Sequence, residues 1–213
     1  MEKQIASYKK GILAFLVFQM AFWLISCAEI QQSRRYDELK NFKTLSIKEL
    51  YPEALDKAFE WQPDAYLYSS TIQIRHIEDS SPLRIYFVFR SISSPNQYLL
   101  LYMIESETGF DFEIEAGEYQ TEKSLSTSVN PDNITLDTFD AFEIAFKNGG
   151  QAYFERFQHP DMPLFIDIQP SSEFHNGTYW SASFFDINSN DLHIFIDDKD
   201  RNVFEVREFY TDD

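Results

Sequence analysis

The chain has 213 residues, with 18 Lys and Arg against 35 Asp and Glu, a formal charge of −17. Such acidity repels nucleic-acid phosphates and anionic lipid headgroups, so neither is an expected partner. The 21 Phe and 12 Tyr, beside only 8 Pro and 6 Gly, supply ample apolar surface for a core and exclude a disordered acidic tail.

The first element is apolar. Lys3, Lys9 and Lys10 precede an uncharged run from Gly11 to Leu24, which ends at Leu24-Ile25-Ser26-Cys27. A basic n-region, an h-region of secretory length and a small residue before the cut are the parts of an export signal. The segment resembles a bacterial lipoprotein signal with its lipobox, which implies cleavage before Cys27 and acylation of its thiol. Cys27 is the single cysteine of the chain, so no disulfide framework competes for it. An uncleaved signal anchor is the alternative, since residues 11–30 approach the roughly 20 residues that span a bilayer. Both readings put the remainder in the cell envelope, outside the cytoplasm, attached to a membrane. Without residues 1–26 the chain keeps 15 basic and 34 acidic residues, a formal charge of −19.

Residues 27–45 are polar and mixed in charge, and read as a tether. Ser46 and Glu49 have the spacing of a capping box, but Pro52 is deep for a helix that starts at Ile47. The expected helix therefore runs from Pro52 to Trp61, with Leu55, Ala58 and Phe59 on one face. After Pro63-Asp64 the period changes to two, and strands are expected at 66–77, 83–91, 98–104 and 110–114. Residues 118–134 read as a linker. Thr135 or Thr138 can cap a second helix that carries Phe139, Phe142 and Phe146 on one side. Asn148-Gly149-Gly150 ends it, and a short helix follows over 151–157. Strands return at 164–169, 178–187, 192–197 and 203–210.

The halves look like diverged copies. Pro63-Asp64-x-x-Leu67 matches Pro160-Asp161-x-x-Leu164, and Ile85 and Phe89 match Trp180 and Phe184. The expected fold is α+β, built of two tandem units at 46–117 and 135–213. Each would be a helix, or helix pair, packed on an antiparallel meander. This order is similar to PepSY-type domains of peptidase propeptides. The similarity is carried by Asn148-Gly149-Gly150, His159-Pro160-Asp161, Trp180, Ile196-Asp197-x-x-x-x-x-Val203 and Glu105-x-x-Thr108-Gly109. Arg201 departs from it by standing where a turn glycine belongs, so Asn202 is expected to take the positive φ. The resemblance implies a binding or inhibitory module and brings no catalytic residue.

Other motifs carry little chemistry. Asp186-x-Asn188-x-Asn190 lacks the glycine and the closing glutamate of a calcium loop, and reads as a hairpin. His76, His159, His175 and His193 are scattered without metal-ligand spacing, and no nucleophile elbow is present. No catalytic residue, metal or cofactor is therefore expected. Tyr66, Tyr68, Tyr86, Phe87, Phe89, Trp180, Phe184 and Phe185 lie on strands apolar on both faces. That pattern fits two packed sheets, or helices over one face with a ligand on the other. The candidate partner-binding residues are Trp180, Tyr86 and the acidic turn Asp197, Asp198 and Asp200. The expected function is non-enzymatic binding of a peptide or a basic protein, inhibitory or scaffolding. The alternative is small-ligand binding in an aromatic pocket.

Overall fold

The computed structural model describes residues 39, 41–77, 80–118, 129, 131–157, 165–171 and 177–210. Cys27, most of the tether and of the linker, His175 and the His159-Pro160-Asp161 turn lie outside them. Residues 42–213 form one compact unit. In chain order it contains β1 (Phe42–Lys43), α1 (Ile47–Trp61), β2 (Ala65–His76), β3 (Arg84–Ser91), β4 (Gln97–Ser106) and β5 (Gly109–Glu118). After a 3₁₀ turn at Pro131–Asn133 come α2 (Thr138–Ala145), α3 (Gln151–Phe157), β6 (Phe165–Ser171), β7 (Tyr179–Phe185), β8 (Asp191–Asp197) and β9 (Val203–Phe209). The class is mixed helix and antiparallel sheet, as expected from the change of period along the chain. Among the described residues no helix is long and apolar enough to cross a membrane.

One antiparallel sheet runs through both halves, in the order β5-β4-β3-β2-β6-β7-β8-β9. The two meanders meet where Ile72, Gln73 and Ile74 pair with Ile168, Asp167 and Ile166. Cross-strand partners share a face, so the registers sort every side chain. Ile85, Phe87 and Phe89 of β3, Leu99, Leu101 and Met103 of β4, and Trp180, Ala182 and Phe184 of β7 point to one face and are buried. Helix α1 packs over β2, β3 and β4 on that face, while α2 packs over β6, β7 and β8. Among the described residues the strands make one sheet, not two packed face to face.

Several local expectations are corrected. Helix α1 starts at Ile47, a turn before Pro52. Ser46 caps it by accepting the Glu49 N–H at 3.1 Å, and Ile47 is fully buried. Pro52 forfeits one backbone bond, which burial of the first turn offsets. The buried stripe is Ile47, Ala54 and Ala58, and Phe59 is 45% exposed. The second helix is capped by Asp137 in a capping box with Asp140, not by Thr135 or Thr138. Phe142 and Phe146 are buried as expected, but Phe139 is 41% exposed. The end of the tether belongs to the fold: Phe42 pairs with His76 and packs on Phe142, Phe146 and Phe154 at 5.1–5.4 Å. Glu118, assigned to the linker, closes β5.

Asn148-Gly149-Gly150 separates α2 from α3 as expected. Gly149 takes φ +140°, and a Cβ at Gly150 would lie 2.3 Å from the Phe184 ring. Both positions therefore exclude a side chain, one by backbone angle and one by close approach. At the β8–β9 turn it is Arg201, with φ +58°, rather than Asn202 that takes the left-handed conformation. Asp197 Oδ1 accepts the N–H groups of Lys199 and Asp200, and Arg201 N–H bonds the Asp197 carbonyl at 2.9 Å. That bond winds one helical turn, which the left-handed residue terminates.

Candidate functional site

The sheet face opposite the helices is the candidate site. Among the described residues no helix lies on it, and its side chains come from the alternate positions of each strand. Across the middle run Glu113, Tyr102, Tyr86, Thr71, Gln169, Ser181, Phe195 and Glu205. Beside them run Gln73, Asp167, Ser183, His193 and Arg207. Strand alternation places them there, their sequence neighbours turning to the buried face, except at Glu205, where the register shift in β9 leaves the neighbouring Phe204 on the open side. Most are half-buried although no helix covers them, because large neighbours stand against one another.

The contacts within this face are specific. Tyr86 and Tyr102 meet edge to face at 5.1 Å. Thr71 Oγ1 donates to Gln169 Oε1 at 3.0 Å across the β2–β6 seam. Ser183 Oγ and His193 Nδ1 are 2.8 Å apart. Tyr179, Phe195 and Phe204 form a ring cluster at 6.0–6.2 Å, and the Arg207 guanidinium lies 5.0 Å over Phe195 while bonding Glu205. Arg90 is fully buried on this face; its Nη2 donates to the Pro95 carbonyl at 2.7 Å, and Tyr68 lies under its guanidinium at 5.2 Å.

Electrostatics follow the burial. Loss of solvent pushes the Asp167 carboxyl up to about 6, with the Gln73 amide and Arg75 offsetting part of the effect. Burial also raises the Tyr102 hydroxyl, and the charges of Glu115 and Glu113 on the neighbouring strand add to that. At the end of β3, hydrogen bonding from Ser91 keeps Asp64 below the ordinary carboxylate range. Asp64 accepts the Ser91 hydroxyl at 2.6 Å and the Ser93 N–H at 2.7 Å, so the Pro63-Asp64 turn braces the β3–β4 hairpin.

Of the five residues picked for partner binding, two are core. Trp180 is fully buried under the helices, and its Nε1–H donates to Asp198 Oδ1 at 2.9 Å. Asp198 is itself only 3% exposed and accepts the N–H groups of Thr135 and Leu136 at 2.6 and 3.0 Å. It ties the β8–β9 turn to the approach of α2, and no partner can reach it. Asp197 spends its Oδ1 on the turn, and Asp200 is exposed. Tyr86 belongs to the open face, four strand spacings from β8, or about 20 Å. A single site formed by Tyr86 and the acidic turn therefore does not exist.

Sequence reasoning missed Thr71, Gln169, Ser181 and Ser183 as members of one surface. Their alternation with Ile, Ala and Phe was the available signal. Asp186 accepts the N–H groups of Asn188 and Asn190 and the Asn190 side-chain amide, and the loop joins β7 to β8 as a hairpin. Among the described residues no group of His, Cys, Asp or Glu is arranged to hold a metal ion. The Ser183–His193 pair has its neighbouring carboxylate, Asp167, beside the serine rather than the imidazole, and Ser183 sits mid-sheet between β6 and β8. With β7 paired on both sides, the backbone N–H groups beside Ser183 are engaged in the ladders rather than aimed at an oxyanion. The chain matches no family model, no curated protein and no solved structure.

Proposed function

We propose that the chain is a lipid-anchored envelope protein, without enzymatic activity, that holds a peptide or protein against the open face of its sheet. The observation that carries this reading is a face of tyrosines, hydroxyls and amides already packed against one another. Tyr86 and Tyr102 are fixed edge to face, so their ordering cost is met before a partner arrives. Tyrosine offers a large amphipathic contact with few rotatable bonds, and is enriched where proteins bind proteins.

Two further elements belong to the proposal. The anchor is Cys27, and Cys27→Ala is expected to abolish fatty-acid labelling; labelling that persists refutes it. The architecture is read as two tandem PepSY-like units that share a sheet. Supporting this, the helix caps Ser46 and Asp137 stand 91 positions apart, and the strand starts Arg84 and Tyr179, Gln97 and Asp191, and Gly109 and Val203 stand 94 or 95 apart.

A photo-crosslinking residue at Tyr86 or Tyr102, in the native envelope, tests the binding surface. Both positions are expected to trap the same protein, while Glu53, exposed on α1, is expected to trap none. Equal products from all three positions, or none from Tyr86 and Tyr102, would overturn the reading.

A further inference from the structure

The ten residues of β5 pair with β4 along their whole length without a bulge. Among the described residues no strand pairs with their outer side. The strand is about 34 Å long, with half of its N–H and C=O groups directed away from the sheet. The other edge differs. Strand β9 carries an irregularity between Phe195 and Ile196 of its partner, and its Glu205 and Arg207 neutralise each other.

The two faces of β5 have opposite chemistry. Asp111, Glu113 and Glu115 lie on the open face and are exposed, and among the described residues none has an ion-pair partner. Phe110, Phe112, Ile114 and Ala116 lie on the other face, where Ile114 is 54% exposed. A second copy of the chain cannot use this edge well. Antiparallel pairing centred on Glu113 or Ile114 sets carboxylate opposite carboxylate, and parallel in-register pairing does the same. Like charges directly opposite are destabilising.

A strand with alternating cations reverses that sign. We infer that the outer edge of β5 is a strand-addition site for an extended segment of a partner protein that alternates lysine or arginine with apolar residues. Backbone bonds to the free edge supply affinity, while the carboxylates and the apolar row at alternate positions supply register. This rests on the reading of the chain as protein-binding, and it names the chemistry of the partner. It also moves the acidic recognition element from the β8–β9 turn, where Asp198 is buried, to the opposite end of the sheet.

The test uses the detergent-solubilised full chain and an end-capped octapeptide that alternates Lys and Val. Controls are a peptide of the same composition with the lysines and valines in two blocks, and an alternating Glu and Val peptide. The Lys/Val peptide is expected to bind and to slow amide exchange within Gly109–Glu118. Methylating the backbone nitrogens along one of its edges should abolish binding, and methylating the other edge should not. Asp111→Lys, Glu113→Lys and Glu115→Lys together should weaken it roughly tenfold or more and favour the Glu/Val peptide instead. No binding, equal binding of the block peptide, or binding without protection in β5 would each overturn the inference. Crosslinks from Tyr86 and Tyr102 in the native envelope would persist in that case, so failure here differs from failure of the broader reading.

Discussion

Asp198 ties the β8–β9 turn to the approach of α2 and to Trp180. Its place in Asp197-Asp198-Lys199-Asp200 makes it look like one more solvated acid, yet it holds three N–H groups from two distant segments. Asp198→Ala would leave those donors buried and unpaired, and is expected to cost about 3 kcal/mol in urea unfolding. Asp200→Ala, exposed, should change stability by no more than about 0.5 kcal/mol. Asp167 carries the opposite penalty. An unfolded aspartate titrates near ~3.9, whereas burial holds the folded carboxyl at about 6. Between those values the folded chain retains a proton that the unfolded chain has lost. Stability therefore falls as pH rises through this window, with the whole penalty present above it and none below it. Asp167→Asn is expected to stabilise by about 1–2 kcal/mol at pH 7, and by almost nothing near pH 4. Urea midpoints of both proteins across that range check it; a difference that does not grow with pH refutes it.

At the scale of elements, the two main helices start against each other. Ser46 Oγ donates to Asp137 Oδ2 at 2.5 Å, and the Ile47 N–H bonds Thr138 Oγ1 at 3.3 Å. Lys48 Nζ reaches the Thr135 carbonyl at 3.1 Å. Each N-terminus thus helps to satisfy the free groups of the other, across 91 residues of chain. Ser46→Ala removes a cap acceptor and a donor at once, and should cost about 1–2 kcal/mol. Combined with Asp137→Ala it should cost less than the sum of the two single changes, because they share one bond. Additive costs in a double-mutant cycle would show that the bridge contributes nothing beyond two independent caps.

At the scale of the molecule, the seam between β2 and β6 decides how the halves behave. Ile72 and Ile74 face into the buried layer there and are at most 2% exposed, so neither meander keeps its core if the other is lost. Two units that were independent beads would unfold in two steps. A shared sheet should unfold in one, with calorimetric and van't Hoff enthalpies equal. Two resolved transitions would contradict this. Among the described residues, the same seam leaves β5 and β9 as the outer strands, so the most regular and most acidic strand lies at an edge of the sheet.

Local order was legible in the sequence because it depends on periods and caps. The alternation in β2 to β9, the turn at Thr108-Gly109, the break at Asn148-Gly149-Gly150 and the short helix at 151–157 follow from backbone preferences that act within a few residues. Three things needed the tertiary structure. The start of α1 was settled by burial of Ile47 and by Thr138, which is remote in sequence. The sorting of aromatics was settled by register: Phe87, Phe89, Trp180 and Phe184 went under the helices, while Tyr66, Tyr68 and Tyr86 went to the open face. The fate of each acid was settled by distant donors, since Asp198 is buried by Thr135, Leu136 and Trp180 while Asp111, Glu113 and Glu115 meet none among the described residues. Composition carries the number of charges. Only the fold decides which of them face solvent, because that depends on which strand ends up at the edge.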